Sequence, residues 1–180
     1  MKEKAIKKLF LVCIIFVNIL SLRTFVYAQE VEKEYNLKAY FIYNFTKFIE
    51  WPLNDESKTF NIAIIGKSEI ETPLQVIASK KTVKELKIKI NILSEVKNVI
   101  NYHIIFIPAK QSYKLAEIQK LLINKPALIV TEKKKMAMQG SAVNFVILNK
   151  KVRFEINHSV LKEKGFKVNS NLLKLATEIY

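Results

Sequence analysis

The feature that most constrains the fold is the alternation of β-branched runs with helical patterns along the chain. The run Thr59–Ile65 is rich in Ile and ends at Gly66, which is typical of a buried strand followed by a turn. Further apolar runs predict strands at residues 102–107 and 127–130, and helical patterns lie between the strands at 68–79 and 112–123. This succession predicts an α/β fold, a largely parallel β-sheet flanked by helices.

A hairpin closes this pattern late in the chain. Two strand-like arms, 142–148 and 152–157, are separated by Asn149-Lys150, and the second arm alternates apolar and charged residues. Residues 87–93 alternate Lys or Asn with Ile, which predicts an edge strand, and residues 132–138 read as a short helical turn closed by Gly140. No linker or repeat interrupts residues 29–180, so we expect one domain with a C-terminal antiparallel hairpin.

An amphipathic helix is predicted for residues 31–51, ended by Pro52. Its apolar stripe follows spacings of three and four and comprises Leu37, Tyr40, Phe41, Phe45, Phe48 and Ile49. Tyr43 falls off this stripe, so we expect it at the surface. Trp51 either plugs the core or stands at a partner-facing rim. Because Trp and Tyr are favoured interface anchors, Tyr43 and Trp51 are the candidate partner-binding residues.

Residues 1–28 have the pattern of a signal peptide. Four lysines precede an apolar stretch over 9–22, and Val26-Tyr27-Ala28 provides a small-x-small exit. The stretch is shorter than the roughly 18 residues that a membrane span needs. We therefore expect export with cleavage near Ala28, and an uncleaved anchor is the alternative.

The exported part, residues 29–180, has no cysteine, because Cys13 lies in the predicted signal peptide. Disulfides are then excluded, so packing alone stabilises the domain. This part keeps 25 Lys and Arg against 15 Asp and Glu, a net charge of +10. For an exported chain such charge favours an anionic membrane surface or an acidic partner domain over nucleic acid. The alternative is a chain-wide habit of using Lys.

The residue inventory weighs against catalysis, cofactors and metals. The three glycines lie far apart, whereas a phosphate-binding loop needs them clustered. Asp55 is the only aspartate, and neither His103 nor His158 lies in a nucleophile pattern. The two histidines have no typical metal-ligand spacing. We expect a protein that is not an enzyme and that has no cofactor and no metal.

Four polar residues of the hairpin region form a second candidate group. Arg153 is the only arginine after residue 28, and its planar fork suits a carboxylate or a phosphate. Glu155 lies on the same face of the strand, so an internal cross-strand pair is one use and a ligand site is the other. Asn144 and Asn157 stand at or near the two arms and are expected in turn and cap hydrogen bonds.

Several motifs together resemble YfiR-like periplasmic proteins, in the right order over nearly all of residues 29–180. The resemblance is carried by the opening helix at 39–52, the strand at 60–66, and the C-terminal segments 140–145, 152–157 and 165–176. Two departures are present. Some members of the family have disulfides and this chain cannot, and Asn169 stands where a serine is often found, a mild change because both residues cap helices.

The resemblance implies an exported α/β domain that binds the periplasmic part of an inner-membrane signalling protein, typically a diguanylate cyclase, and holds it inactive. It also implies that an outer-membrane partner can draw the repressor away. We therefore expect a periplasmic regulatory binding protein that represses a membrane-bound signalling protein, a diguanylate cyclase or a sensor kinase, through a protein–protein interface, as a monomer or a homodimer. The alternative is a periplasmic small-ligand sensor in which Arg153 grips an anion at the strand ends.

Overall fold

The computed structural model describes residues 29–52 and 58–180. The predicted signal peptide, residues 1–28, lies outside the described residues and stays a prediction. Residues 35–180 form one compact unit, and the described residues 29–34 belong to a second unit. The unit of residues 35–180 carries every strand described below.

The elements alternate as the sequence predicts. The first half contains α1 (29–48), β1 (Ile49–Glu50), β2 (Thr59–Ile65), α2 (Glu71–Lys80), β3 (Thr82–Val83), β4 (Leu86–Leu93) and a 3-10 helix (Val96–Asn101). The second half contains β5 (Ile104–Ile107), a 3-10 helix (Ala109–Lys114), α3 (Leu115–Leu121), β6 (Leu128–Thr131), β7 (Val143–Leu148), β8 (Lys151–Ile156), α4 (His158–Glu163), β9 (Lys167–Val168) and α5 (Ser170–Leu175).

Seven strands form one sheet in the order β3-β4-β2-β5-β6-β7-β8. The five central strands, β4, β2, β5, β6 and β7, pair in parallel, and β3 and β8 are antiparallel at the two margins. The predicted α/β class with a largely parallel sheet is confirmed. A separate two-stranded sheet, in which β1 pairs antiparallel with β9, was not predicted.

The C-terminal hairpin is confirmed together with its turn. Asn149 and Lys150 both have positive φ, 49° and 59°. Two successive left-handed residues are the requirement of a type I′ turn, whose twist matches that of the strands. The turn fixes the register, so that Phe145 pairs with Phe154 and Val146 pairs with Arg153.

Apolar side chains cover both faces of the sheet. Helix α1 lies on one face, where Phe45 stacks on Phe145 with ring centroids 6.0 Å apart and meets Phe154 edge-on at 5.3 Å. The 3-10 helices and α3 cover the other face, where Leu115 and Ile118 join a second buried cluster. Burial on both faces explains why the central strands are continuous apolar runs.

The opening helix differs from its prediction in two ways. It ends at residue 48, because Ile49 and Glu50 leave the helix to pair with β9. Its buried face includes Ala39 and Ile42, whereas Leu37 and Tyr40, expected in the apolar stripe, are 39% and 56% exposed. The stripe is therefore rotated relative to the one that the sequence predicts.

Other boundaries also move. Strand β4 is the predicted edge over Ile88–Leu93, because the two-residue β3 pairs only with Leu86 and Lys87. The helix predicted from Ser68 begins at Glu71, although the Ser68 hydroxyl accepts a hydrogen bond from the Ile70 amide at 3.4 Å. The helix predicted from Ser112 begins at Leu115, after a 3-10 turn. Residues 134–140 form consecutive turns in which the Gln139 backbone amide donates to the Lys135 carbonyl at 3.2 Å and Gly140 has a φ of 93°, so the predicted short helical turn closed by Gly140 is formed.

Candidate interface at the amino ends of the strands

Trp51 directly follows β1 and forms one wall of a groove. Its indole meets Phe60 and Phe166 edge-on, with ring centroids 5.4 Å away in both cases, and its Nε1 donates to the His103 carbonyl at 3.4 Å. The side chain remains half-buried. Trp51 therefore packs against the core on one side and leaves its other side to solvent, and its place at a partner-facing rim stays a prediction.

A groove of about 510 Å³ opens beside Trp51 and is called the amino-end groove below. It lies where β2, β4, β5 and β6 begin, because its lining includes the first residues of these strands and those just before them. The lining consists of Thr46, Trp51, Pro52, Phe60, Asn61, Val83, Lys84, Leu86, Ile100, Asn101, Tyr102, His103, Asn124, Lys125, Pro126 and Ala127.

The groove has apolar walls and a basic rim. Trp51, Phe60 and Leu86 supply apolar surface, and the exposed Lys84 and Lys125 supply positive charge. None of the lining residues that the structure describes is acidic. An apolar group that carries a negative charge is the chemistry that such a surface accommodates best.

The rear wall is held by the start of β5. His103 stacks on Phe60 with ring centroids 4.5 Å apart, and its Nδ1 accepts a hydrogen bond from the backbone amide of Asn61 at 3.0 Å. Beside it, burial raises the pKa of the Tyr102 phenol above its ordinary value of 10.0. The phenol is neutral at physiological pH, as an ordinary tyrosine is, so Tyr102 adds no negative charge to the groove lining.

Tyr43 lies about one and a half turns before the end of α1 and is half-buried, not exposed as the sequence predicts. Its hydroxyl donates to the Thr82 carbonyl at 3.4 Å, and the Lys47 ammonium lies 4.6 Å from the ring centroid. Thr82 precedes Val83 and Lys84 of the groove lining. Tyr43 therefore links α1 to one margin of the groove and does not line it.

The hairpin residues Asn144 and Glu155 come together away from the groove. The fully buried Asn144 amide donates to Glu155 Oε2 at 2.9 Å, and Asn144 Oδ1 accepts from the Thr131 hydroxyl at 2.8 Å. The Ser141 hydroxyl extends this chain, 2.8 Å from that of Thr131. These contacts satisfy a buried amide, as expected for a structural network.

Arg153 lies on β8, the strand at one edge of the seven-stranded sheet. The register places it opposite Val146, and its Nη1 donates to the Val152 carbonyl at 3.0 Å. In the described part of the chain it forms no ion pair within 4 Å, so the cross-strand pair with a carboxylate is not formed. In this hairpin register the Val152 backbone carbonyl points away from β7. The guanidinium of Arg153 therefore donates to an edge carbonyl that accepts no hydrogen bond from a neighbouring strand.

The C-terminal residues continue this cover along β8. Ile156 bridges Ile179 in parallel, and the Thr177 amide donates to the Phe154 carbonyl at 2.9 Å. Asn157 then caps α4, accepting from the Val160 amide at 2.9 Å while its own amide donates to the Ala137 carbonyl at 2.8 Å. The cap that the sequence predicts for Asn157 is formed.

Sequence reasoning missed a buried ion pair at the opposite end of the sheet. Lys38 Nζ lies 2.6 Å from Glu132 Oε2, and the two side chains are only 5% and 6% exposed. Glu132 Oε1 also accepts from the Tyr35 hydroxyl at 3.2 Å and from the Ala109 amide at 3.1 Å. The partners are 94 residues apart, so no local spacing signals them.

Within residues 29–52 and 58–180, no cluster of three His, Cys, Asp or Glu side chains is arranged to hold a metal ion. None of the helices in these ranges has the length and apolar character of a membrane span.

A family model described as YfiR/HmsC-like matches residues 35–177. The chain belongs to the YfiR/HmsC-like family. This confirms the resemblance carried by the opening helix and the C-terminal segments. The family is periplasmic, regulatory and non-catalytic, and its members typically interact with a membrane signalling protein.

No curated protein matches the chain. Among solved structures, it is similar to the ABC domain in complex with L-Trp from Streptococcus pneumoniae, with 12% identity, a TM-score of 0.50, and coverage of 67% of this chain and 55% of that one. It is also similar to a conserved domain protein from Vibrio cholerae, with 10% identity, a TM-score of 0.48, and coverage of 67% and 54%. The chain thus spans about half the length of these structures, and the first likeness shows the fold alone.

Proposed function

We propose that this protein is a periplasmic regulator that represses a membrane signalling protein, typically a diguanylate cyclase, by binding its periplasmic part. The amino-end groove is the anchoring site for that partner. Family membership supports the regulatory role. The observation that supports the site is the groove itself, about 510 Å³ of open space with an aromatic wall and a lysine rim.

The groove has the properties of an interface hot spot. Trp51 is half-buried and fixed by Phe60, Phe166 and the His103 carbonyl, so it gains contacts on binding without losing much side-chain freedom. Lys84 and Lys125 attract an acidic surface, which accelerates encounter more than it strengthens the final complex. Together they favour a partner segment that combines an apolar anchor with acidic neighbours.

Repression then follows from a population shift. A partner that exchanges between active and inactive forms is silenced when the regulator binds the inactive form more tightly. A differential affinity of about 5.5 kcal/mol moves such an equilibrium from 1:99 to 99:1. No chemical step is required of the regulator.

A crosslinked pull-down from intact cells tests this proposal. The exported domain, tagged and expressed from its own promoter, should recover an inner-membrane signalling protein. The double variant K84E/K125E should recover much less, because both side chains are exposed and their charge reversal repels an acidic partner while the fold stays intact.

The matched control is K133E/K134E, which makes the same charge change at two exposed lysines outside the groove lining. Equal recovery by both double variants would contradict the groove as the anchoring site. An unchanged cellular cyclic di-GMP level and kinase output after deletion of the gene would contradict the regulatory role.

The size and shape of the groove also favour a second candidate, a small-ligand sensor. A volume of about 510 Å³ is within the usual range for small-molecule sites. Arg153 does not line the groove, so the cations that an anion would meet there are Lys84 and Lys125. A thermal shift with phenylacetate that is lost in K84Q/K125Q, without recovery of any membrane protein, would select the sensor.

A further inference from the structure

A second hollow of about 400 Å³ lies behind the amino-end groove, on the face of the sheet that carries the 3-10 helix Val96–Asn101. It shares one wall with the groove and is called the amide hollow below. Its lining consists of Asn61, Asn91, Lys97, Asn98, Ile100, Asn101 and Tyr102. Four of these seven residues are asparagines, and the hollow is mostly polar where the groove is mostly apolar.

Two repeats bring these side-chain amides together: the three-residue repeat of the 3-10 helix and the two-residue repeat of the strands. Residues i and i+3 eclipse in a 3-10 helix, so Val96 and Val99 are buried together while Asn98 and Asn101 project together. On the sheet, Ala63 pairs with Asn91, and Asn61 lies two residues before Ala63 on the same face.

One amide is fixed in advance. Asn61 Oδ1 accepts from the Thr59 hydroxyl at 2.9 Å, and its amide nitrogen donates to the Asn101 carbonyl at 3.4 Å. The Asn91 and Asn98 side chains are exposed, so their donors and acceptors are open to a ligand. Each amide offers a donor and an acceptor side by side, as neighbouring hydroxyls of a sugar do.

The hollow is close to neutral. Among the described lining residues the only charged group is the Lys97 ammonium, which lies 2.6 Å from Glu95 Oε2 on the surface. Ile100, 41% exposed, and the half-buried ring of Tyr102 supply apolar surface beside the amides. Paired charge, clustered amides and a small apolar patch match a neutral sugar that carries an acetamido group.

We propose that the amide hollow is a binding site for a neutral N-acetylated saccharide. The amides of Asn61, Asn91, Asn98 and Asn101 bind its hydroxyl and acetamido groups. Ile100 contacts the acetamido methyl, and Tyr102 contacts the C–H face of a sugar ring. The site is distinct in chemistry from the basic groove proposed for the partner, although the two share the wall from Ile100 to Tyr102 and Asn61.

The test is an NMR titration of the exported domain with N,N′-diacetylchitobiose up to about 20 mM, since a shallow site of this kind binds weakly, on the order of 1 mM. The side-chain NH₂ signals of the four asparagines should shift and saturate. The variant N91A/N98A should weaken binding about tenfold, because each lost hydrogen bond contributes modestly. The exposed Asn36 lies outside the hollow, so N36A should bind as the natural sequence does.

Absence of saturable shifts in these amides would overturn the proposal, and so would binding that N91A/N98A leaves unchanged. Maltose, which has hydroxyls and no acetamido group, should bind more weakly, and equal binding would overturn the assignment of an N-acetylated ligand. A blocked tripeptide is the last probe. If it gives saturable shifts and the disaccharide does not, the ligand is a peptide backbone and not a sugar, which would also overturn the proposal.

Discussion

The two ends of the parallel strands have opposite characters. At the carboxyl ends of β5 and β6, Glu132 is enclosed by Lys38, Tyr35 and the Ala109 amide. At the amino ends the chain leaves an open groove beside Trp51. Open α/β sheets usually bind ligands at their carboxyl ends. Here a buried ion pair of the chain itself occupies part of that end, and the groove of about 510 Å³ lies at the other end.

The largest effect is expected at the closed end. Lys38→Met leaves Glu132 buried without its cation, which should cost about 3–5 kcal/mol of unfolding free energy in urea denaturation. The matched control is Lys167→Met. It removes an exposed partner 4.0 Å from Glu50 and should change the free energy by less than about 1 kcal/mol. If the two variants had similar midpoints, the carboxyl end would not be closed by this pair.

A smaller loss is expected from the aromatic wall of the open end. Trp51→Leu removes two edge-on ring contacts and should lower the unfolding free energy by about 1–3 kcal/mol. It should also reduce recovery of the membrane partner. Tyr113→Leu, at a side chain 74% exposed, should leave both quantities unchanged. Full partner recovery by folded Trp51→Leu would remove this residue from the interface.

The groove lysines should affect binding and leave stability unchanged. K84Q/K125Q should unfold within about 0.5 kcal/mol of the natural sequence, because both residues are exposed. Partner recovery should fall as salt rises from about 0.05 to 0.5 M, since screening shortens the reach of these charges. The variant should show a weaker salt dependence. An identical salt dependence would place the partner's contact elsewhere.

The smallest effect concerns the Tyr102 phenol. Burial raises its pKa, so the folded chain holds this proton at a pH where the unfolded chain has released it. Its contribution to stability is therefore fully present below pH 10.0 and is lost as the pH rises through the raised value. The difference in ultraviolet absorbance between the natural sequence and Tyr102→Phe should report a midpoint above 10.0. A midpoint at or below 10.0 would show that this wall of the groove is open to water.

Local patterns predicted most of the fold. The strand Thr59–Ile65 has the predicted bounds, and the Asn149-Lys150 turn fixes the hairpin as expected, because both depend on residues close in sequence. The two-residue strands β1 and β9 were missed, since two residues form no pattern. The predicted apolar stripe of α1 is wrong at Leu37 and Tyr40. The helix is rotated so that Lys38, which pairs with Glu132, is buried while these two side chains are exposed.

The site was less predictable than the fold. Composition singled out Trp51 and Arg153 as unusual residues, but their environments depend on partners distant in sequence. Trp51 meets Phe60 and Phe166, and Arg153 covers a carbonyl at a sheet edge. The groove joins the starts of four strands, and only the parallel order of the sheet brings these starts together.

Site-specific photo-crosslinking in intact cells tests most directly whether the open end binds the partner. A benzophenone amino acid is placed at Asn124, which is exposed in the groove lining, or at Tyr113, which is exposed in the 3-10 helix after the carboxyl end of β5. If the amino-end groove binds the partner, an inner-membrane signalling protein should be captured from position 124 and not from position 113. Capture from position 113 alone would contradict it.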